Sequence, residues 1–189
     1  MKISKLTYSK FIFKLLLSII LCVIGLVNDN LIVFLSSMLI SPILDAVIEI
    51  SNNINNTYTL LIGLFIPLVA GLILSIFIQT PTKYLINAGA IFYSDKIKFL
   101  WSSIVAITCG FILHLSDSNP IIGVAINLAC ALLPQNIALG YYLGDIILKK
   151  NNFTLIDLII CLLITIINIF GLLLGDSLYK EFIKKYIKS

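Results

Sequence analysis

The sequence predicts an all-α, polytopic transmembrane helix bundle of about six spans, an inverted three-plus-three pseudo-repeat with proline-broken middle helices. Three observations predict it. Apolar residues make up 60% and charged residues 12% of the 189-residue chain, whose mean hydropathy is +1.10. A soluble domain is nearer half apolar and a quarter charged, so lipid is the principal solvent of this chain. Apolar runs of roughly 20 residues, the length of one crossing, alternate with short polar turns. Two of these runs, Leu31–Ile50 and Pro120–Leu148, are interrupted by proline, one in each half.

The first segment, Phe11–Val27, closes at the polar turn Asn28-Asp29-Asn30. Lysines precede it as in a signal peptide, but no small-residue cleavage site follows, and it reads as a retained span. The second, Leu31–Ile50, contains Pro42 and closes at the Asn-rich stretch Ser51–Thr57. The third, Tyr58–Gln79, ends at Thr80-Pro81, and an amphiphilic connection, Thr82–Lys98, leads to the fourth, Phe99–Leu115. After a turn rich in Ser, Asp and Asn, the fifth runs from Pro120 to Leu148 and the sixth from Phe153 to Gly175. Residues 1–175 form a single membrane domain with halves 11–79 and 99–175, and a lysine-rich cytoplasmic tail occupies 176–189. Each half repeats one order: plain helix, turn with Asp and Asn, proline-broken helix, plain helix. Repeats with an odd number of spans are inverted relative to each other in a membrane.

All thirteen basic residues are lysine, four at the N-terminal end (Lys2, Lys5, Lys10 and Lys14) and four in the tail. The positive-inside rule therefore places both termini in the cytoplasm. With six spans, eight lysines lie inside and five outside; re-entrant proline segments would make the split eleven to two. The second segment has the length of a crossing, which decides for six spans. Clustered lysine beside a membrane touches anionic lipid, so the bilayer is the expected partner. No soluble basic surface exists to present to nucleic acid. Six short helices enclose little interior, which leaves a homo-oligomer open.

Enzymatic chemistry lacks material. His114 is the only histidine, so histidine-based metal sites and triads are excluded, and no cofactor motif occurs. Cys22, Cys109, Cys130 and Cys161 lie inside apolar runs without metal spacing and read as packing residues. Leu143-Gly144-Asp145 and Leu174-Gly175-Asp176 faintly resemble intramembrane aspartyl protease signatures, but both glycines read as helix stops. The sequons Asn55-Asn56-Thr57 and Asn152-Phe153-Thr154 are expected by chance in so Asn-rich a chain.

The chemistry-bearing residues concentrate on the broken segments. Ser37, Ser41, Asp45 and Glu49 recur every four residues, as one polar helical stripe beside Pro42. A carboxylate at a helix centre costs roughly 2.5–3.5 kcal/mol on insertion scales, so Asp45 is expected to face protein or water, near Asn127 or Gln135. Gly123, Asn127, Ala131 and Gln135 repeat the spacing on the fifth segment, with Pro134 and Asn136 flanking Gln135. Facing stripes of carboxylate and amide suit a hydrated cation or polar solute. On that reading Ser37, Ser41, Pro42, Asp45, Asn127, Pro134, Gln135 and Asn136 line a pathway in a small channel or transporter. Asp157, Thr165 and Asn168 on the sixth segment are weaker candidates. The same polar groups also serve as interhelical glue, worth about 0.6 kcal/mol each, in a purely structural or assembly protein. A shared polar cavity favours the first reading, and dry packing the second.

At these stretches the chain resembles the membrane family catalogued as domain of unknown function 389. The resemblance rests on Ile24–Leu44, on Gly123-Val124-Ala125-Ile126 and on Ala131–Asp145, and extends over about residues 11–175. Gln135 stands where the family has a second proline, and Asp45 where it has a glycine. The resemblance implies an integral membrane bundle and no particular substrate.

Overall fold

The computed structural model describes residues 8–51, 57–90, 96–113, 120–150 and 152–186. His114, the sequon asparagines Asn55 and Asn56, and the terminal Lys2, Lys5 and Lys188 lie outside them. Regular structure among the described residues is helical: α1 (Tyr8–Val27), α2 (Leu31–Ile40), α3 (Ile43–Ser51), α4 (Thr57–Phe77), α5 (Lys83–Ala90), α6 (Lys96–Phe111), α7 (Pro120–Cys130), α8 (Leu132–Ile147) and α9 (Leu155–Tyr186). Four stretches are long and apolar enough to cross a membrane: Tyr8–Val27, Leu31–Ile50, Thr57–Phe77 and Leu155–Phe182. The chain is thus an all-helical, multi-pass membrane protein. Large apolar side chains such as Ile32, Phe65, Phe77 and Phe170 face outward, where acyl chains solvate them.

The polar turns are capping devices. Asn28 donates its amide to the Ile24 carbonyl at the end of α1, and Asn30 accepts from the Ile32 and Val33 amides that open α2. Asp29, in the left-handed region at φ 48°, accepts from the Tyr84 amide in the first turn of α5. Thr82 caps the same helix, and its hydroxyl donates to the Leu26 carbonyl. Thr154 and Asp157 cap α9 reciprocally: the Thr154 hydroxyl donates to the Asp157 carboxylate at 2.8 Å and accepts from the Asp157 amide. Asp157 is therefore engaged as a helix cap.

Both predicted broken helices are broken, and the second break differs in place. The first interrupts the chain at Ser41–Pro42, between α2 and α3. The second falls at Ala131, held at φ 46°, three residues before Pro134. Pro134 sits in the first turn of α8, where a missing amide breaks no helical hydrogen bond. The expected end of the last helix at Gly175 also shifts: α9 continues to Tyr186, and the Lys180–Asp176 ion pair at 2.7 Å supports the turn beyond it. Gly175 is a packing residue, since a Cβ there would overlap the Ile107 carbonyl and Phe111 backbone of α6.

Small residues set the closest packing. A Cβ on Gly71 of α4 would overlap the Ile137 carbonyl of α8, and one on Gly140 would overlap the Leu68 carbonyl. Gly144 meets Ser75 in the same way. Gly140 and Gly144, like Gly171 and Gly175 on α9, are four apart and let backbones touch. The contacts also fix direction. Pairing of Leu68 with Gly140 and Ser75 with Gly144 makes α4 and α8 parallel; pairing of Ala106 with Gly171 and Phe111 with Gly175 makes α6 and α9 parallel. α1 and α2 form an antiparallel hairpin, with Gly25 against Phe34. Leu132–Tyr142 of α8 is buried on every side, so protein and not lipid surrounds its polar residues.

Candidate functional site

The broken segments meet. Asn127, one turn before the end of α7, donates its side-chain amide to the Ser41 carbonyl at 3.4 Å. α2 has ten residues and α7 eleven, so each runs about 15–16 Å before its break. That is half of a hydrocarbon core of roughly 30 Å, which sets the break in the Leu31–Ile50 crossing near mid-depth.

The two breaks satisfy their backbones differently. At the second, the Asn168 side chain of α9 donates to the buried Cys130 carbonyl, which Pro134 leaves without a helical donor, at 3.0 Å and to Gln135 Oε1 at 3.1 Å. The Cys161 thiol donates to the Gln135 carbonyl, and Asn136 donates to the Leu132 carbonyl at 2.7 Å. At the first, Pro42 carries no N–H for the Met38 carbonyl one turn earlier. The Ser41 hydroxyl is buried there and has no hydrogen-bond partner among the described residues. Ser37, one turn up, instead donates to the Phe34 carbonyl at 2.6 Å.

The predicted stripes are therefore not continuous. The break at Ser41–Pro42 separates Ser37 from Asp45 and Glu49, and the break at Ala131 separates Asn127 from Gln135. The four-residue period holds only within an unbroken helix. Of the predicted residues, Ser41 and Asn127 are brought together. Gln135 turns toward Asn168, and Pro42 and Pro134 flank the breaks. Asp45 is half-buried in the first turn of α3, with Lys14 of α1 and Glu49 as its charged neighbours. Among the described residues no hydrogen bond joins it to Asn127, which donates to Ser41, or to Gln135, which accepts from Asn168.

A second polar cluster closes one end of the bundle. The fully buried Asp145 accepts from the Asn152 and Phe153 backbone amides, both at 3.0 Å, and from the Asn152 side chain at 2.8 Å. Lys150 donates to the Ser75 and Ile78 carbonyls at the end of α4, where a cation complements the helix dipole. Tyr141 and Tyr142 donate to the Ile78 and Ile86 carbonyls, and Phe153 stacks on Tyr142 with ring centroids 3.9 Å apart. Asp176 lies 19 residues beyond Asp157 along α9, about 28 Å away, so the two Leu-Gly-Asp carboxylates occupy opposite ends. Sequence reasoning missed this cluster because its members belong to loops and helix ends. The Gly-x-x-x-Gly spacing of Gly140 and Gly144 was the readable sign that α8 packs closely.

A shallow apolar groove of about 290 Å³ lies between α6 and α9, lined by Ser103, Ile107, Ile167, Phe170, Gly171 and Leu174. None of the predicted pathway residues lines it. No family model, curated protein or solved structure matches the chain.

Proposed function

We propose that this protein is a small channel or transporter-like membrane protein. An ion or small polar solute passes through it where the broken helices α2–α3 and α7–α8 meet. The single observation that carries this reading is the Asn127–Ser41 hydrogen bond, which joins two helix breaks beside a buried, unpartnered hydroxyl. Non-helical backbone at membrane depth is tolerated where it is buried in protein or lines a wet cavity, and paired broken helices are a recurrent plan for such sites.

The same reading has six crossings in an inverted three-plus-three arrangement. The helix directions support it: α1, α4 and α8 run one way, and α2–α3, α6 and α9 the other. Exchanging the halves maps the α4–α8 packing onto the α9–α3 packing, where the contact is far smaller. A catalytic role gains no support, since Asp145 is engaged by its loop and lies far from Asp176.

The rival role, a structural or assembly protein, is favoured by the Asn168–Gln135 pair, which satisfies the second break as glue would. Flux through proteoliposomes across a panel of ions and small polar solutes separates the two. The proposal expects saturable flux of at least one solute, reduced in Asn127→Leu. Absence of flux across the panel, with protein correctly folded, supports the structural role.

A further inference from the structure

The structure points to the class of solute: we propose that the first break is a binding site for a monovalent alkali cation, a proposal resting on the pathway reading above. The inference starts from partial charge. A helix C-terminus carries the equivalent of roughly half a negative charge. The six-crossing arrangement brings α2 and α7 to mid-depth from opposite sides, so their carbonyl ends face each other around Ser41 and Asn127. The opposing positive end, the N-terminus of α3, carries Asp45 in its first turn, which offsets it. α8 opens without an acidic residue and α7 ends with its Cys130 carbonyl already bonded to Asn168, so the second break lacks that bias. The negative potential is therefore concentrated at Ser41.

The oxygens there match a cation. The Ser41 hydroxyl is buried with no partner, and the Met38 carbonyl has lost its helical donor to Pro42. The Ser41 carbonyl has only the long 3.4 Å contact with Asn127. An orphan buried hydroxyl costs about 1–3 kcal/mol, and a cation accepting its lone pairs removes that cost. These donors are neutral oxygens. The nearest carboxylate along the chain, Asp45, lies beyond the break in α3 and already has Lys14 beside it. Divalent calcium takes six to eight oxygens including carboxylates, and magnesium retains its waters in a rigid octahedron. Neither is provided for. An alkali cation needs only a few neutral oxygens, of the kind that unwound backbone and half-helix C-termini supply.

The test is thermal unfolding of the full chain in detergent, in sodium, potassium, magnesium or choline chloride at matched ionic strength. A ligand that binds the folded state raises the melting temperature with concentration. Sodium or potassium should raise it saturably above choline, and Ser41→Ala should weaken the half-saturation concentration about tenfold. Ser41→Ala removes an unpartnered hydroxyl, so it should fold at least as well in choline; Ser41→Cys, which puts a soft thiol where an alkali cation needs a hard oxygen, provides a second variant with the same expected loss. Equal curves in all salts, a magnesium-selective shift, or unchanged sodium and potassium affinity in both variants would overturn the site. Proteoliposome flux separates the two levels. A neutral solute carried without any cation shift defeats this inference and keeps the pathway. A cation shift with no flux of any kind makes the site real and the pathway reading wrong.

Discussion

The carboxylate of Asp145 and the side-chain amide of Asn152 lie 2.8 Å apart, and this contact closes the α8–α9 loop over the end of α4. Asp145 also holds two backbone amides, so its removal leaves several part-buried donors without this acceptor at once. Hydrogen bonds to a charged group contribute about 1.5–3 kcal/mol each. Asp145→Ala should therefore destabilise the protein by about 3 kcal/mol or more, read as unfolding in detergent or mixed micelles. Asp145→Asn should recover part of that loss. A cost below about 1 kcal/mol would show that the loop is held by other contacts. Because the Asn152 amide is committed to Asp145 and the Gln79 carbonyl, the folded protein should carry no glycan at its sequon.

The glycines divide into two kinds. At Gly71 an added methyl overlaps the Ile137 backbone, whereas at Gly63 it meets only the flexible ends of Ile43 and Phe11 at 3.4 Å. Gly71→Ala should cost about 1–3 kcal/mol through overpacking. Gly63→Ala should be close to neutral. Equal effects at the two positions would mean that α4 does not approach α8 by its backbone.

Lys14 and Asp45 are oppositely charged neighbours on α1 and α3. In a double-mutant cycle of Lys14→Met and Asp45→Asn, the two changes should couple by about 0.5–3 kcal/mol, with the double variant less affected than additivity requires. Additive effects would leave Asp45 without a specific partner. All three variants should remain inserted.

Much of the fold was legible in the chain because lipid enforces long apolar runs and short turns. The segments Phe11–Val27 and Tyr58–Gln79 became α1 and α4 with ends shifted by only a few residues. The proline segments were broken as expected, but the break of the second sits at Ala131, since Pro134 is harmless in the first turn of a helix. Gly175 misled because a glycine stop and a packing glycine look alike in sequence; only the neighbouring Ile107 carbonyl distinguishes them. Of the polar residues, Asn127 was expected beside Asp45, and it bonds the Ser41 carbonyl instead. The partnership of Gln135 with Asn168, 33 residues away, carried no local signal, nor did the capture of Lys150 by the end of α4.

Lysine placement predicts one shared side for the two termini. Reporter domains fused to the two termini should read out on the same, cytoplasmic face. Opposite faces would require an odd number of crossings and would break the exchange of halves.

On the pathway reading, the junction at Ser41 admits water and solute although it lies at lipid depth. The most direct measurement is thiol accessibility at Ser41→Cys in a chain whose four native cysteines, all buried, are replaced by alanine. Leu39→Cys is the control, two residues away and half-exposed on the outer surface. A charged, membrane-impermeant thiol reagent added to proteoliposomes should label Ser41→Cys at least about tenfold faster than Leu39→Cys, because thiolate forms only where water reaches. Equal inertness at both positions would mean that the two breaks meet in a dry, purely structural contact, and the pathway account would be wrong.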